Sequence, residues 1–110
     1  MRRYCFALDL INDSKLISEY KKYHEKIWPE ITNSIQLAGI ENLDIYLTGN
    51  RLFMIMEVND SFSFEKKTIM DLENPKVQEW ENLMWKYQQK LPFAKEGEKW
   101  VLMDQIYNLK

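Results

Sequence analysis

Apolar residues in this chain recur at every second position in four stretches and at helical spacing in the stretches between them. That switching of period restricts the fold more than any other feature, because a pattern of two fits only a strand and one of 3.6 only a helix. From Arg3 to Leu10, Tyr4, Phe6, Leu8 and Leu10 fall on one face and Cys5, Ala7 and Asp9 on the other, which predicts a first strand. Asp13 is suited to accept from free backbone N–H groups, and Leu16, Ile17, Tyr20, Tyr23, His24 and Ile27 then line one stripe of a helix. Pro29 disfavours helical geometry at Trp28 but suits a first helical position, so a second piece should run from Pro29 to Ala38 at an angle, closed by Gly39. Leu43 to Thr48 and Arg51 to Val58 alternate around Gly49-Asn50, the signature of an antiparallel hairpin. Ser61 to Leu72 reads as a weaker helix interrupted at Asn74-Pro75. Val77, Trp80, Leu83, Met84, Tyr87 and Leu91 form a strong stripe that Leu91-Pro92 ends. A polar loop from Pro92 to Lys99 leads into a fourth alternating segment, Trp100 to Leu109.

The order is β-α-β-β-α-β, which predicts an α+β, ferredoxin-like sandwich with a four-stranded antiparallel sheet and helices on one face. A sheet covered on one side should alternate cleanly with polar residues. The third strand does not: Leu52, Met54 and Met56 lie on one face and Phe53 and Ile55 on the other. The fourth is similar, with Leu102 and Ile106 against Val101, Met103 and Tyr107. Apolar patches of that size are unusual on monomers. The pattern therefore predicts a second copy packed sheet to sheet as a homodimer with twofold symmetry.

Length and charge narrow the function. At 110 residues the chain is expected to be a single domain spanning residues 1–110, with one core and no linker or repeat. Its net charge of −2 gives no positive field to recommend nucleic acid or an anionic membrane. Cys5 is the one cysteine, so no intrachain disulfide and no cysteine-based zinc site is expected, and a reducing, cytoplasmic setting is the default. No run approaches the ~20 apolar residues of a membrane span, so a soluble protein is expected. The single histidine provides no metal cluster, no glycine-rich phosphate loop occurs, and no Gly-x-Ser-x-Gly elbow exposes a serine. Metal, nucleotide and serine-hydrolase chemistry are accordingly unsupported.

His24 is the residue most able to carry chemistry. It lies on the apolar stripe of the first helix, four residues after Tyr20 on the same face, where it reads either as an ordinary core histidine or as a proton shuttle. Aromatic side chains with an N–H or O–H tip are spread over elements that converge in such a fold: Tyr20, Trp28, Tyr46, Trp80, Trp85 and Trp100. Rings of this kind stack on the apolar face of a small ligand and hydrogen-bond its rim. Trp85 and Trp100 read as core. Asp9 and Asp104 sit inside predicted strands, where a carboxylate is expected to form an ion pair rather than serve catalysis.

The segment from Glu19 to Ile31 contains Tyr20, His24, Trp28, Pro29 and Glu30 in the spacing Tyr-x-x-x-His-x-x-x-Trp-Pro-Glu. It resembles the hallmark helix of the L-rhamnose mutarotase family, and the similarity continues through Gly39, the Asp44 to Leu47 strand, the Val77 to Met84 helix and the closing Gln105 to Leu109 segment. The resemblance implies a cofactor-independent enzyme, a dimeric α/β barrel, that interconverts the α and β anomers of a 6-deoxyhexose. Within it His24 matches the catalytic acid, Tyr20 a substrate contact, and Trp80 the first member of a substrate-binding tryptophan pair. Glu81 stands where the second tryptophan would be and Leu43 where a ligand-contacting tyrosine would be, so both join Tyr20, Trp80 and Tyr46 as expected substrate contacts. The changed walls make L-rhamnose the first expected sugar and L-fucose its competitor. Two other classes share this reading of the fold: a cofactor-free monooxygenase of the antibiotic-biosynthesis type, and a non-catalytic dimeric module that binds a small ligand.

Overall fold

The computed structural model describes residues 2–109. Strand β1 (Arg2–Leu10) is followed by helices α1 (Ser14–Glu25) and α2 (Pro29–Leu37), then by the hairpin of β2 (Ile40–Thr48) and β3 (Arg51–Val58). Helices α3 (Phe64–Glu73) and α4 (Pro75–Trp85) come next, and two short strands, β4 (Gln88–Gln89) and β5 (Val101–Leu102), close the chain. Each helix begins where the sequence supplies a cap. Asp13 accepts from the N–H groups of Lys15 and Leu16 at 2.9 and 3.0 Å, Ser63 from Lys66 at 3.0 Å, and Asn74 from Lys76 and Val77 at 3.0 and 3.3 Å. Helix α2 has no side-chain cap, and Pro29 at its first position supplies the start.

The sheet is antiparallel in the order β2-β3-β1, with β4 and β5 both on the free edge of β1. Register pairs Phe6 with Met54 and Leu8 with Leu52, which sends Phe6, Leu8, Leu52, Met54, Met56 and Val58 together toward the helices. On the opposite face Cys5 pairs with Ile55 and Ala7 with Phe53, all partly buried. Ion pairs flank that apolar strip. Arg3 meets Glu57 at 3.8 Å, and Arg51 holds the buried Asp9 through Nε and Nη2 at 2.7 and 3.1 Å. The ion pair expected of Asp9 is thus present.

The helix expected over Ser61–Leu72 runs instead from Phe64 to Glu73, and three further expectations need correction. The helix read from Val77 to Leu91 ends at Trp85, because Gln88 and Gln89 instead pair with Leu10 and Asp9 of β1. The fourth strand, read from Trp100 to Leu109, is reduced to Val101–Leu102. Its free edge on β1 is shared: β4 takes Asp9 and Leu10, β5 takes Phe6 and Ala7, and the last bond runs from the N–H of Met103 to the carbonyl of Cys5 at 2.8 Å. Beyond that bond no pairing with β1 follows among the described residues, although Arg2–Tyr4 are taken by neither β4 nor β5, and the chain from Met103 onward runs outside any strand. Asp104 lies exposed outside any strand with no ion pair among the described residues, and Ile106 is 95% exposed.

The core divides in two. One cluster gathers Leu10, Tyr20, Ile31, Leu52, Trp80 and Met84, the other Phe6, Ile40, Met54, Met56, Val58 and Phe62. Ile35, Ile45 and Trp100 pack against both. Where the two clusters fail to close on each other the molecule keeps a hollow.

Candidate active site

That hollow has a volume of about 400 Å³, within the range of small-ligand sites. Its floor is the sheet, through Leu43, Ile45, Met54 and Met56; α1 contributes Tyr20 and His24, and α4 contributes Val77, Trp80, Glu81 and Met84. Gln88, Lys99 and Trp100 close one side, and the ion pair of Lys67 and Asp71 from α3 stands at another. A second hollow of about 320 Å³ shares Tyr20, His24 and Ile45, so the Tyr20–His24 pair forms a wall between the two.

His24 and Tyr20 stack one helical turn apart, ring centroids 4.5 Å apart and tilted by 35°. His24 Nδ1 lies 2.8 Å from the carbonyl oxygen of Tyr20. A carbonyl only accepts, so Nδ1 carries the proton and Nε2 of the neutral ring keeps its lone pair. Burial pushes the imidazolium pKa below its ordinary value of 6.5, with the Tyr20 carbonyl opposing more weakly. At neutral pH His24 is therefore mainly a free base. Trp80 packs edge-on against the same imidazole at 5.7 Å and against Trp28 at 5.0 Å, which fixes the ring from the other side.

Tyr20 is 3% exposed, and its hydroxyl accepts from Gln88 Nε2 at 3.3 Å. Burial raises its pKa, and the Gln88 bond opposes this, so the phenol keeps its proton. On the far side, Lys99 Nζ donates to the carbonyl oxygen of Glu81 at 3.3 Å, lies 3.9 Å from the Glu81 carboxylate, and sits over the Trp85 ring at 5.0 Å. Partial burial lowers the Lys99 pKa, and Glu81 works against it. The cavity thus has a mainly apolar floor and a rim of hydroxyl, amide and paired charges, suited to a ligand with one apolar edge and several hydroxyls.

Of the residues singled out from sequence, the fold brings His24, Tyr20, Trp80, Glu81 and Leu43 to this one cavity. Tyr46 is not among them. It sits one position out of step with Leu43, Ile45 and Leu47, so it projects from the opposite sheet face, 58% exposed beside Phe53. Neither Asp9, held by Arg51, nor Asp104 lines the cavity. Trp85, read as core, is 42% exposed and carries the ammonium of Lys99 on its face. Gln88, Lys99, Lys67 and Asp71 were not singled out. Gln88 had a signal: it stands four residues after Met84 and eight after Trp80, a polar side chain continuing an apolar stripe. Lys99 had none, since a lysine in a polar loop reads as surface until the loop is placed.

With this geometry in place, the comparisons with known proteins decide between the classes. The family model described as L-rhamnose mutarotase matches residues 3–109. The chain belongs to the L-rhamnose mutarotase family. Mutarotases are isomerases that exchange the anomers of a sugar. Among relatives of the family, a protein named L-fucose mutarotase from Xanthomonas campestris is 40% identical, covering 99% of this chain and 89% of its own length. A protein named L-rhamnose mutarotase from Listeria monocytogenes is 32% identical over 63% of this chain and 61% of its own. The crystal structure of an L-rhamnose mutarotase from Formosa agariphila superposes with a TM-score of 0.73 at 20% identity, covering 100% of both chains. That level of identity speaks to the fold, which is the α+β sandwich expected from the sequence.

Proposed function

We propose that this chain exchanges the α and β anomers of a 6-deoxy-L-hexose, with L-rhamnose and L-fucose as its sugars. The observation that carries the reading is the state of His24: a buried, mainly neutral imidazole whose Nδ1 is tied to the Tyr20 carbonyl, leaving Nε2 as the ring's free nitrogen at the cavity wall. Anomer exchange moves a proton between two oxygens bonded to the same carbon. Nε2 takes the proton of the anomeric hydroxyl and delivers it to the ring oxygen as the bond from C1 to that oxygen breaks, leaving an aldehyde and a hydroxyl. Rotation about C1–C2 and the reverse proton transfer close the ring on the other face. The imidazolium formed in between is stabilised by the Tyr20 carbonyl on Nδ1. Tyr20 holds a sugar hydroxyl, Trp80 forms an apolar wall, and the sheet floor takes the C6 methyl group.

Glu81 and Leu43 supply the difference between sugars. A carboxylate beside Lys99 hydrogen-bonds a hydroxyl that an indole only covers, and L-fucose and L-rhamnose differ in the orientation of the hydroxyls at C2 and C4. The full-length similarity to a protein named L-fucose mutarotase supports L-fucose as the better substrate. Saturation transfer between the anomeric proton signals of each sugar tests the proposal. Wild type should accelerate exchange, and folded His24→Ala should not. Absence of acceleration with both sugars overturns it.

The working form is a homodimer joined through the outer sheet face. Phe53, Ile55 and Tyr46 give that face an apolar strip between two ion pairs, and Met103, Ile106, Tyr107 and Leu109 extend from it with their side chains exposed. Ile55→Asp should shift the mass in solution to that of one chain, and an unchanged mass assigns the face to solvent. The lone, unpaired Cys5 supports a reducing cytoplasmic location, and no helix among the described residues is long and apolar enough to cross a membrane.

A further inference from the structure

Gln88 is 8% exposed, and its side-chain oxygen Oε1 is the one buried side-chain polar atom among the described residues with no hydrogen-bond partner. Buried acceptors left unpaired are rare in folded proteins, because water solvates them in the unfolded chain and nothing replaces that water. The other end of the same amide is engaged: Nε2 donates to the Tyr20 hydroxyl oxygen at 3.3 Å. A phenol that accepts at its oxygen still has its own proton to give, and no acceptor for it is found among the described residues. An unused donor on Tyr20 and an unused acceptor on Gln88 therefore stand side by side, and both residues line the cavity that holds His24. A hydroxyl group is complementary to that pair, since it accepts with a lone pair and donates its proton at once.

We propose that Gln88 and Tyr20 together read one ring hydroxyl of the sugar, which accepts the Tyr20 proton and donates its own to Gln88 Oε1, closing a ring of three hydrogen bonds. The inference rests on the mutarotase reading above and adds to it a specificity-determining residue. In the ring each group both gives and receives, so the members polarise one another and the two unpaired atoms are satisfied only when the substrate is in place. Because β4 pairs Gln88 with Leu10 in the sheet, the amide is held by backbone rather than by a mobile loop. The hydroxyl so held also sets how the sugar lies against His24 Nε2, whose ring stacks on Tyr20 at 4.5 Å.

The test pairs enzyme variants with substrates that lack single hydroxyls. Exchange rates would be measured by saturation transfer against sugar concentration for L-fucose, L-rhamnose and their C2-, C3- and C4-deoxy analogues. The proteins are wild type, Gln88→Leu and Gln88→Glu, each shown folded by circular dichroism. For wild type, removal of one particular hydroxyl should lower kcat/KM by about ten- to a hundredfold. Gln88→Leu should lose a similar factor on the parent sugar but suffer no further loss with that one analogue, while the other analogues lose equally in both proteins. Gln88→Glu turns the Tyr20 proton back onto a carboxylate and should abolish the same selectivity, which keeps the test available if the leucine variant does not fold. Equal factors for every analogue in wild type and variants would show that the amide is only structural and overturn the inference, leaving the mutarotase reading intact. Wild-type inactivity with both parent sugars overturns the two together.

Discussion

Replacing Trp80 by alanine removes the side chain on which both the core and the cavity turn. The indole is 8% exposed and meets three rings nearly edge-on: Trp28 at 5.0 Å, His24 at 5.7 Å and Tyr23 at 6.2 Å. Truncation of a buried tryptophan costs about 3–5 kcal/mol, and edge-to-face contacts contribute roughly 0.5–1.5 kcal/mol each within that total. A domain of this size unfolds with an entropy near 2.1 cal/mol/K per residue, so each kcal/mol moves the midpoint by roughly 4 °C. Trp80→Ala should therefore melt about 12–20 °C below wild type, a large part of a total stability of about 5–15 kcal/mol. Far-UV circular dichroism reads the transition without depending on the deleted fluorophore. Trp80→Phe keeps a ring in the cluster and should fall by clearly less, with KM raised more than kcat is lowered because the wall against the sugar is thinned while His24 remains. A fall of less than about 4 °C for Trp80→Ala would refute the packing argument, since so small a change means the three rings do not depend on the indole.

Two further predictions concern protons and backbone. His24 is the one histidine, so its ring protons are unambiguous in an NMR titration, and burial should place the midpoint below 6.5. Exchange activity should hold above that midpoint and fall on its acid side, as the free base disappears. Because the unfolded chain binds the proton near pH 6.5 and the folded one does not, this residue's contribution to stability is present above pH 6.5 and is lost as pH falls toward the folded pKa, a loss that His24→Gln should not show. A folded midpoint at or above 6.5 would remove the basis for His24 as a resting base. Gly39 has φ +94°, and a β-carbon there would come within 2.6 Å of Asn59 Oδ1, whereas Gly97 at φ +79° has open space around it. Gly39→Ala should cost about 1–3 kcal/mol in urea unfolding and Gly97→Ala less, and equal costs would mean that only the backbone angle matters.

Legibility in the sequence followed how local each cause was. The starts of α1 and α2 were readable because Asp13 and Pro29 act within a few residues of themselves, whereas α3 starts at Phe64 under a Ser63 cap rather than at Ser61, and Asn74, read as an interruption, caps α4. The hairpin at Gly49-Asn50 and the inward set Leu52, Met54, Met56 and Val58 followed from a strict alternation of two. The ends of α4 and of the last strand were not readable. Gln88 continues the helical spacing of Trp80 and Met84, yet pairing with Leu10 of β1 claims it, and the alternation from Trp100 to Leu109 does not record that only Val101 and Leu102 pair with β1.

The sequence by itself determined the order of elements, the one histidine and its place a turn beyond Tyr20, because periodicity and helical spacing are properties of the chain. Tertiary structure decided the rest. It alone brought Lys99 from a polar loop to Glu81, turned Tyr46 outward, and gave His24 Nδ1 to a carbonyl so that Nε2 stays a base. It also left Gln88 Oε1 unpaired beside the Tyr20 hydroxyl. These are matters of which groups meet after distant segments pack, and of what burial does to a proton or an amide once water is gone. No local pattern records them.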